Sequence, residues 1–327
     1  MKTQAAEFNL IEKYFLPLSN GGAGAFNLKD DAATIDLPAN QSLIVTTDAL
    51  VENVHFLSSD APEDIAAKLL SVNLSDLAAM GAKPLSYNLI LGASKNITER
   101  WIKSFSDSLA TEQRKYSISL IGGDTVRSNG PLFLGITAMG FLEKGTELRR
   151  FGAKFTDDIW VSGVIGDAAA GLKIATGELS VANNDYEQYL LSKYRRPIPR
   201  IELGLKLKGI ANATIDVSDG LISDLAHICR FSKLGAKVFL DSIPISEALV
   251  EVVKVDRNYY ELVLNGGDDF ELLFTADKSS YDEILSISNN LGVPITKIGE
   301  LNRLDRINIL DSDGVTFNLK KSGYSHF

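Results

Sequence analysis

Cysteine is nearly missing from this chain: Cys229 is the only one in 327 residues. No intramolecular disulfide can form, which suits a reducing compartment and points to the cytoplasm. Histidine is scarce too, with three residues, and no His/Cys cluster with zinc-ligand spacing occurs. No apolar run approaches the ~20 residues that a membrane helix needs, so no membrane partner is expected. The opening MKTQAAEFNLIEKYF puts charges through its apolar positions, unlike a secretory signal. Positive charge is not in excess either. The net charge is −9, which argues against a nucleic-acid partner. Such a protein binds phosphates only with metal ions or local Lys and Arg. A kinase-type catalytic loop and a G-x-S-x-G elbow are also lacking. GDAAAGLK at Gly166–Lys173 spaces two glycines as a P-loop does, but Leu172 stands where Lys is required. A glycine-opened helix N-terminus that takes an anion remains open there.

The length suits two domains. A polar, Gly- and Lys/Arg-rich connection over 145–157 separates residues 1–148 from 149–327. Helical and strand patterns alternate in both halves, which predicts an α/β (α+β) protein. In the first half we expect helices over Phe8–Leu18, Glu63–Gly81 and Thr98–Lys115. Strands are expected at Ala32–Leu37, Ser86–Leu91, Ser117–Ile121 and Leu132–Leu142. In the second half, strands are expected at Ile159–Val164, Glu271–Thr275, Ile295–Ile298 and Ile307–Leu310, with helices at Tyr186–Tyr194 and Ser280–Leu291. RRPIPR at Arg195–Arg200 reads as a rigid basic turn.

Carboxylates recur where these patterns break. The apolar run Leu43–Val45 ends in Thr46, Thr47 and Asp48, hard oxygen ligands that suit Mg²⁺. Asp30 and Asp31 are adjacent, and Asp76 sits among leucines and alanines inside a helix. Asp124 follows Gly122-Gly123 after a strand. Asp216 ends another strand, and Ser218, Asp219 and Gly220 open the helix behind it. Asp268 and Asp269 follow Gly266-Gly267. Taken alone, Asp219 also fits a plain N-cap. Convergent carboxylates cannot stay ionised side by side without cations. Several Mg²⁺ ions holding a nucleoside triphosphate would settle that repulsion, which is the arrangement phosphoryl transfer needs.

With these residues in view the chain resembles the thiamine-monophosphate kinases, within the superfamily of aminoimidazole ribonucleotide synthetase and selenophosphate synthetase. The likeness rests on the order and spacing of DDAA at Asp30, TTDALVENVHF at Thr46, VNLSDLAAMGAKP at Val72, GGDT at Gly122, GDAAAGL at Gly166, RPIPR at Arg196, IDVSDGLISDLAHI at Ile215, GGDDFELLFT at Gly266 and the final GYSHF. It implies ATP-dependent phosphorylation of thiamine monophosphate to thiamine diphosphate. It also implies an N-terminal mixed sheet that pairs across a homodimer, a C-terminal α/β domain, and an ATP cleft between the two. Carried over motif by motif, Asp31, Thr46, Thr47, Asp48, Asp76, Asp124, Asp216 and Asp219 would bind Mg²⁺. Asp48, Asp124 and Asp219 among them would carry the catalysis. Gly123, Asp124, Arg150 and Ser218 would hold ATP, and His55, Asp268 and Tyr324 the thiamine phosphate. Lys29 stands where the family usually has Gly, and Asp268 where it usually has Glu. The lack of an N-terminal Cys disfavours selenophosphate synthesis. A binding protein that kept the fold without turnover is the rival from another class.

Overall fold

In the computed structural model, which describes residues 9–30, 32–304 and 306–317, Thr46–Asp48 does not end its strand. β1 runs Gln41–Val51 and pairs antiparallel along its whole length with β4, Phe133–Glu143. Full pairing fits the sequence, because the Leu43–Leu50 stretch alternates exposure rather than ending in a turn. The GGDT motif is likewise inside a strand, since β3 spans Ser119–Arg127. Ala32–Leu37 is extended but belongs to no strand. The expected first helix winds instead as a π-turn at Ile11–Phe15 and a 3₁₀ turn at Leu16–Ser19. Its start at Phe8 lies outside the described residues.

The chain divides into two units. One comprises residues up to Leu77 together with Ala82–Gly145; the other comprises Ala78–Gly81 and the chain from Thr146 on. The first is a four-stranded mixed sheet in the order β1-β4-β2-β3, with β2 at Lys83–Ala93 parallel to β3 and antiparallel to β4. Helix α1, Pro62–Ala79, packs on one face of this sheet. It is apolar on nearly every side and correspondingly buried, from Ile65 to Ala78. Helix α2, Glu99–Tyr116, is amphipathic and capped by the Thr98 hydroxyl, which accepts the Trp101 N–H at 3.2 Å. Ser108 Oγ ties it to α1 by donating to Glu63 O at 2.7 Å. The opposite face of the sheet stays open at Leu43, Val45, Ile90, Val126 and Phe133; Val45 is 55% exposed.

The second unit holds a six-stranded sheet in the order β10-β7-β9-β5-β8-β6. Its strands are β5, Asp158–Ser162; β6, Ala211–Asp216; β7, Gly235–Phe239; β8, Leu272–Ala276; β9, Ile295–Asn302; and β10, Ile307–Leu310. The helices are α3, Asp167–Ala175; α4, Asn184–Arg195; α5, Ile201–Lys206; α6, Leu221–Ser232; α7, Glu247–Val255; α8, Tyr260–Asn265; and α9, Tyr281–Leu291. Its core joins β5, β6, β8 and β9 to α6, α7 and α8 through Val161, Ile215, Leu225, Leu249, Val263 and Leu273. Among the described residues no helix is long and apolar enough to cross a membrane.

Glycine decides the β2–β3 seam. A Cβ on Gly123 would fall 2.0 Å from the Leu89 carbonyl oxygen, a backbone atom that cannot swing away. Gly123→Ala should therefore cost about 2–4 kcal/mol in urea unfolding. Gly130→Ala, whose Cβ would meet only Ser128 Oγ at 3.7 Å, should change stability by less than ~0.5 kcal/mol.

Candidate active site

In the first unit the expected ligands separate by sheet face. Strand residues alternate, so Thr46 and Asp48 point to the α1 side and Thr47 to the open side. Thr46 Oγ1 donates to Asp76 of α1, and the Asp48 N–H donates to Asn73 Oδ1 at 3.0 Å. Asn73 in turn donates to Leu69 O at 3.0 Å, which fixes its orientation within the helix. Asp76 therefore has the partner that its apolar surroundings require. Thr47 Oγ1 meets Thr137 Oγ1 at 3.0 Å on the other face.

Asp124 lies opposite Ile90 in the β2–β3 register, and Ile90 opposite Gly135 and hence Ala49 across the sheet. It is thus on the open face with Thr47, not with Asp48. Two strands intervene between β3 and β1, so their backbones are about 14 Å apart. One sheet alone does not gather Asp48 and Asp124. Asp124 and Gly123 instead line a cavity of about 640 Å³, with Asp30, Asn88, Gly122 and Thr137. The chain reaches it through Phe26, Asn27 and Leu28, three successive left-handed residues at φ 48°, 55° and 53°, a costly run of a kind that persists only where the surroundings impose it. Asp31 lies outside the described residues. His55 sits in the turn after β1. Its Nδ1 accepts the Val51 N–H at 3.1 Å, so neutral His55 carries its proton on Nε2. The buried Lys68 donates to His55 O at 3.0 Å.

The second unit builds its part from two loops. Asp216 is buried at the end of β6, as expected. Ser218 and Asp219 follow, but the N-cap of α6 is Gly220, at φ 120°. Asp219 is thus not the cap. Asp224, in the first turn of α6, accepts the N–H groups of Ser218 at 3.0 Å and Asp219 at 3.1 Å. Burial, reinforced by the Asp219 charge, pushes its carboxyl up to about 7. The segment Gly266–Phe270 runs beside this loop: Asp268 N donates to Ser218 O at 2.9 Å, and Phe270 N to Val217 O at 2.8 Å. Gly267 permits the approach, since a Cβ there would sit 2.2 Å from Ser218 O. Asp268 and Phe270 are both left-handed, at φ 69° and 50°.

RPIPR serves this region from below. Arg200 makes a bidentate ion pair with the buried Glu271, which also accepts from Ser162 Oγ. Arg149 O accepts the Thr214 N–H at 2.7 Å, which places neighbouring Arg150 along the β6 edge. Tyr324 lies outside the described residues. Asp224 and Glu271 are absent from the sequence-based expectations for the site; an acid four residues behind the Ser-Asp-Gly turn and one directly before an apolar strand are the signals that point to them.

The donor set is all oxygen, as Mg²⁺ requires. Among the described residues no three His, Cys, Asp or Glu side chains converge into a ready-made cage.

Both units match AIR synthase related domains: the N-terminal domain model over residues 29–142 and the C-terminal one over 157–311. The chain is thus a two-domain protein of the AIR synthase related class. The thiamine-monophosphate kinase of Haemophilus influenzae is 42% identical over 98% of each chain. The crystal structure of the thiamine-monophosphate kinase from Stenotrophomonas maltophilia is 42% identical, covers 88% of this chain and 90% of its own, and superposes with a TM-score of 0.81. A structure described as AaThiL complexed with AMPPCP and TMP is 29% identical, with 91% of each chain covered and a TM-score of 0.78. The chain belongs to the thiamine-monophosphate kinase family.

Asp224 gives this site a pH signature. Between the ordinary carboxylate value and about 7, the folded protein holds a proton that the unfolded chain has released. Stability therefore falls as pH rises through that window and is level above it. In EDTA, Asp224→Asn should lose less stability than the wild type between pH 4 and 7, with a ceiling of ~4 kcal/mol on the difference. Parallel stability–pH curves by urea unfolding would refute this.

Proposed function

We propose that this chain transfers the γ-phosphoryl group of ATP to the phosphate of thiamine monophosphate, giving thiamine diphosphate and ADP. The observation that carries the reading is the set of oxygen donors held ready in each unit: Asp48 with Thr46 and Asp76, and Asp216 with the Ser218–Asp219 loop. The family membership, and the relative bound to AMPPCP and TMP, support it. The acceptor phosphate is already anionic near neutral pH, so its oxygen attacks the γ-phosphorus without a strong base. The bond to the β–γ bridging oxygen breaks as the new one forms, and ADP leaves. The enzyme must hold two anions in line and neutralise their repulsion.

Asp31, Thr46, Thr47, Asp48, Asp76, Asp124, Asp216 and Asp219 would hold Mg²⁺, which when bound neutralises phosphate charge and orients the nucleotide. Of these, Asp48, Asp124 and Asp219 would carry the catalysis. Gly123, Asp124, Ser218 and the Arg150 guanidinium would bind ATP; His55, Asp268 and Tyr324 would bind the thiamine phosphate. Glycine at 123 and 267 lets backbone come close where these anions sit. The oxidation-sensitive thiol count is one, and Cys229 is buried, its thiol pushed up to about 12 by that burial. This fits a cytoplasmic enzyme.

We also propose a homodimer formed through the open face of the first unit. Five apolar side chains there, on all four strands, form the kind of patch that marks an interface. A second copy's sheet would cover Val45 and its neighbours.

Purified protein with ATP, Mg²⁺ and thiamine monophosphate should yield equal amounts of thiamine diphosphate and ADP by chromatography, and none in EDTA. Asp48→Asn should abolish turnover with an unchanged circular dichroism spectrum; near-normal rates would remove Asp48 from the metal site. Val45→Glu would bury an unpaired carboxylate at a cost of about 2 kcal/mol or more, raising the dimer dissociation constant at least ~30-fold. Sedimentation equilibrium reads that directly, and an unaltered dimer would place the interface elsewhere.

A further inference from the structure

Asp269 has no part in the chemistry above, yet its position is the most constrained in the second unit's site. Helix α3 begins at Gly166, whose φ of 93° and crowding against Val263 and Leu249 exclude a side chain. With no side chain, Gly166 cannot cap its own helix, and the first N–H groups of α3 need an acceptor from elsewhere. Asp269 supplies it: Oδ2 accepts Gly166 N–H at 2.8 Å, and Oδ1 accepts Ala168 N–H at 3.3 Å. The acceptor at this helix N-terminus is therefore the protein's own carboxyl group.

The consequence falls on the residue before it. Asp268 stands between two fixed points. On one side Gly267 lies against Ser218 O; on the other Asp269 is tied to α3. Asp268 N itself bonds Ser218 O at 2.9 Å. This double tether is what holds Asp268 at φ 69°, a conformation that costs a non-glycine residue about 1 kcal/mol or more. The neighbouring loop has its own anchor, since Ser218 and Asp219 hang from Asp224. Each loop thus has one buried or enclosed acid that binds backbone rather than ligand.

We propose that Asp269 is a positioning residue that sets the place of Asp268, and through it the acceptor end of the reaction, while Asp224 independently sets the loop of Ser218 and Asp219. The proposal rests on the reading that Asp268 meets thiamine monophosphate. Burial pushes the Asp269 carboxyl well above its ordinary range, against the pull of the two backbone N–H groups. What the site uses is therefore its oxygen acceptors, and Asn retains one of them.

The test compares Asp269→Ala, Asp269→Asn, Asp268→Asn and the double variant Asp268→Asn/Asp269→Ala with the wild-type full chain, varying each substrate at saturating levels of the other. Asn is chosen at 268 because it tolerates the left-handed backbone. Asp269→Ala should raise KM for thiamine monophosphate ~10-fold or more and leave KM for Mg-ATP within ~2-fold. Asp269→Asn should shift the same constant by less, and it carries the test if the alanine variant does not fold. The double variant should be no worse toward thiamine monophosphate than Asp268→Asn, because one residue acts through the other. A merely structural role would lower the active fraction, reducing kcat with both KM values unchanged; that result overturns the proposal, as do additive losses. An unchanged KM in Asp268→Asn overturns the acceptor reading and the proposal with it. A raised KM there, beside unchanged values in both Asp269 variants, overturns the proposal alone.

Discussion

Three backbone hydrogen bonds between two loops govern the second unit's site. Val217 N donates to Glu271 O, Phe270 N to Val217 O, and Asp268 N to Ser218 O. They extend the β6–β8 ladder past the ends of the strands, where acids would otherwise sit on independent loops. The unusual features of the region follow from this pairing. Gly267 and Gly220 are there because a Cβ at either would strike the other loop or the Asn265 backbone. Asp268 and Phe270 accept left-handed backbone to keep the register. Asp224 accepts N–H groups that the pairing leaves over, and Asp269 accepts those at the start of α3. Glu271, at the root of the segment, is locked by Arg200 and Ser162. Truncating Arg200 would leave a buried charge unpaired, a costlier change than losing a surface ion pair.

Charge repulsion explains the arrangement in the first unit. Two carboxylates ~4 Å apart repel by about 4 kcal/mol at an effective dielectric of 20, and by about 1 kcal/mol at 14 Å. Asp48 and Asp124 are kept apart by two strands and by the thickness of the sheet. Asp76 spends its negative charge on a threonine hydroxyl. The fold thus avoids the repulsion that a closely packed cluster of these acids would impose.

Local signals in the sequence reached the two long helices of the first unit. Thr98 caps α2 and the apolar run of α1 ends near Gly81, both read from residues within one turn of the boundary. The acids at Asp216 and Asp219 were legible for the same reason, because a strand, a turn and a helix start lie within eight residues. Strand ends were less so. Thr46–Asp48 looks like a terminus, but a partner more than eighty residues away carries the pairing through it. Ala32–Leu37 has strand composition but pairs with no strand among the described residues. The anchoring acids were illegible in principle. What Asp269 does depends on a helix start about a hundred residues earlier, and no pattern in the GGDD motif reveals it. Nor does spacing reveal that Asp124 and Asp48 take opposite faces, since that follows from register.

The replacement of the family's usual Glu by Asp268 acquires a physical sense from this geometry. A left-handed backbone is tolerated best by glycine, then by Asn and Asp, whose short side chains bond locally. Glu at φ 69° gains no such relief, so in a Glu-bearing relative the surroundings must hold the residue harder. Asp268 gives up one methylene of reach and in return sits with less strain in the conformation that Gly267 and Asp269 impose. Because Ser218 and Asp219 are anchored separately by Asp224, that exchange is confined to the acceptor side. Under the proposed reading, reach lost there would be restored by a water between carboxylate and substrate at little cost in enthalpy, whereas a displaced Ser218–Asp219 loop would have no comparable remedy.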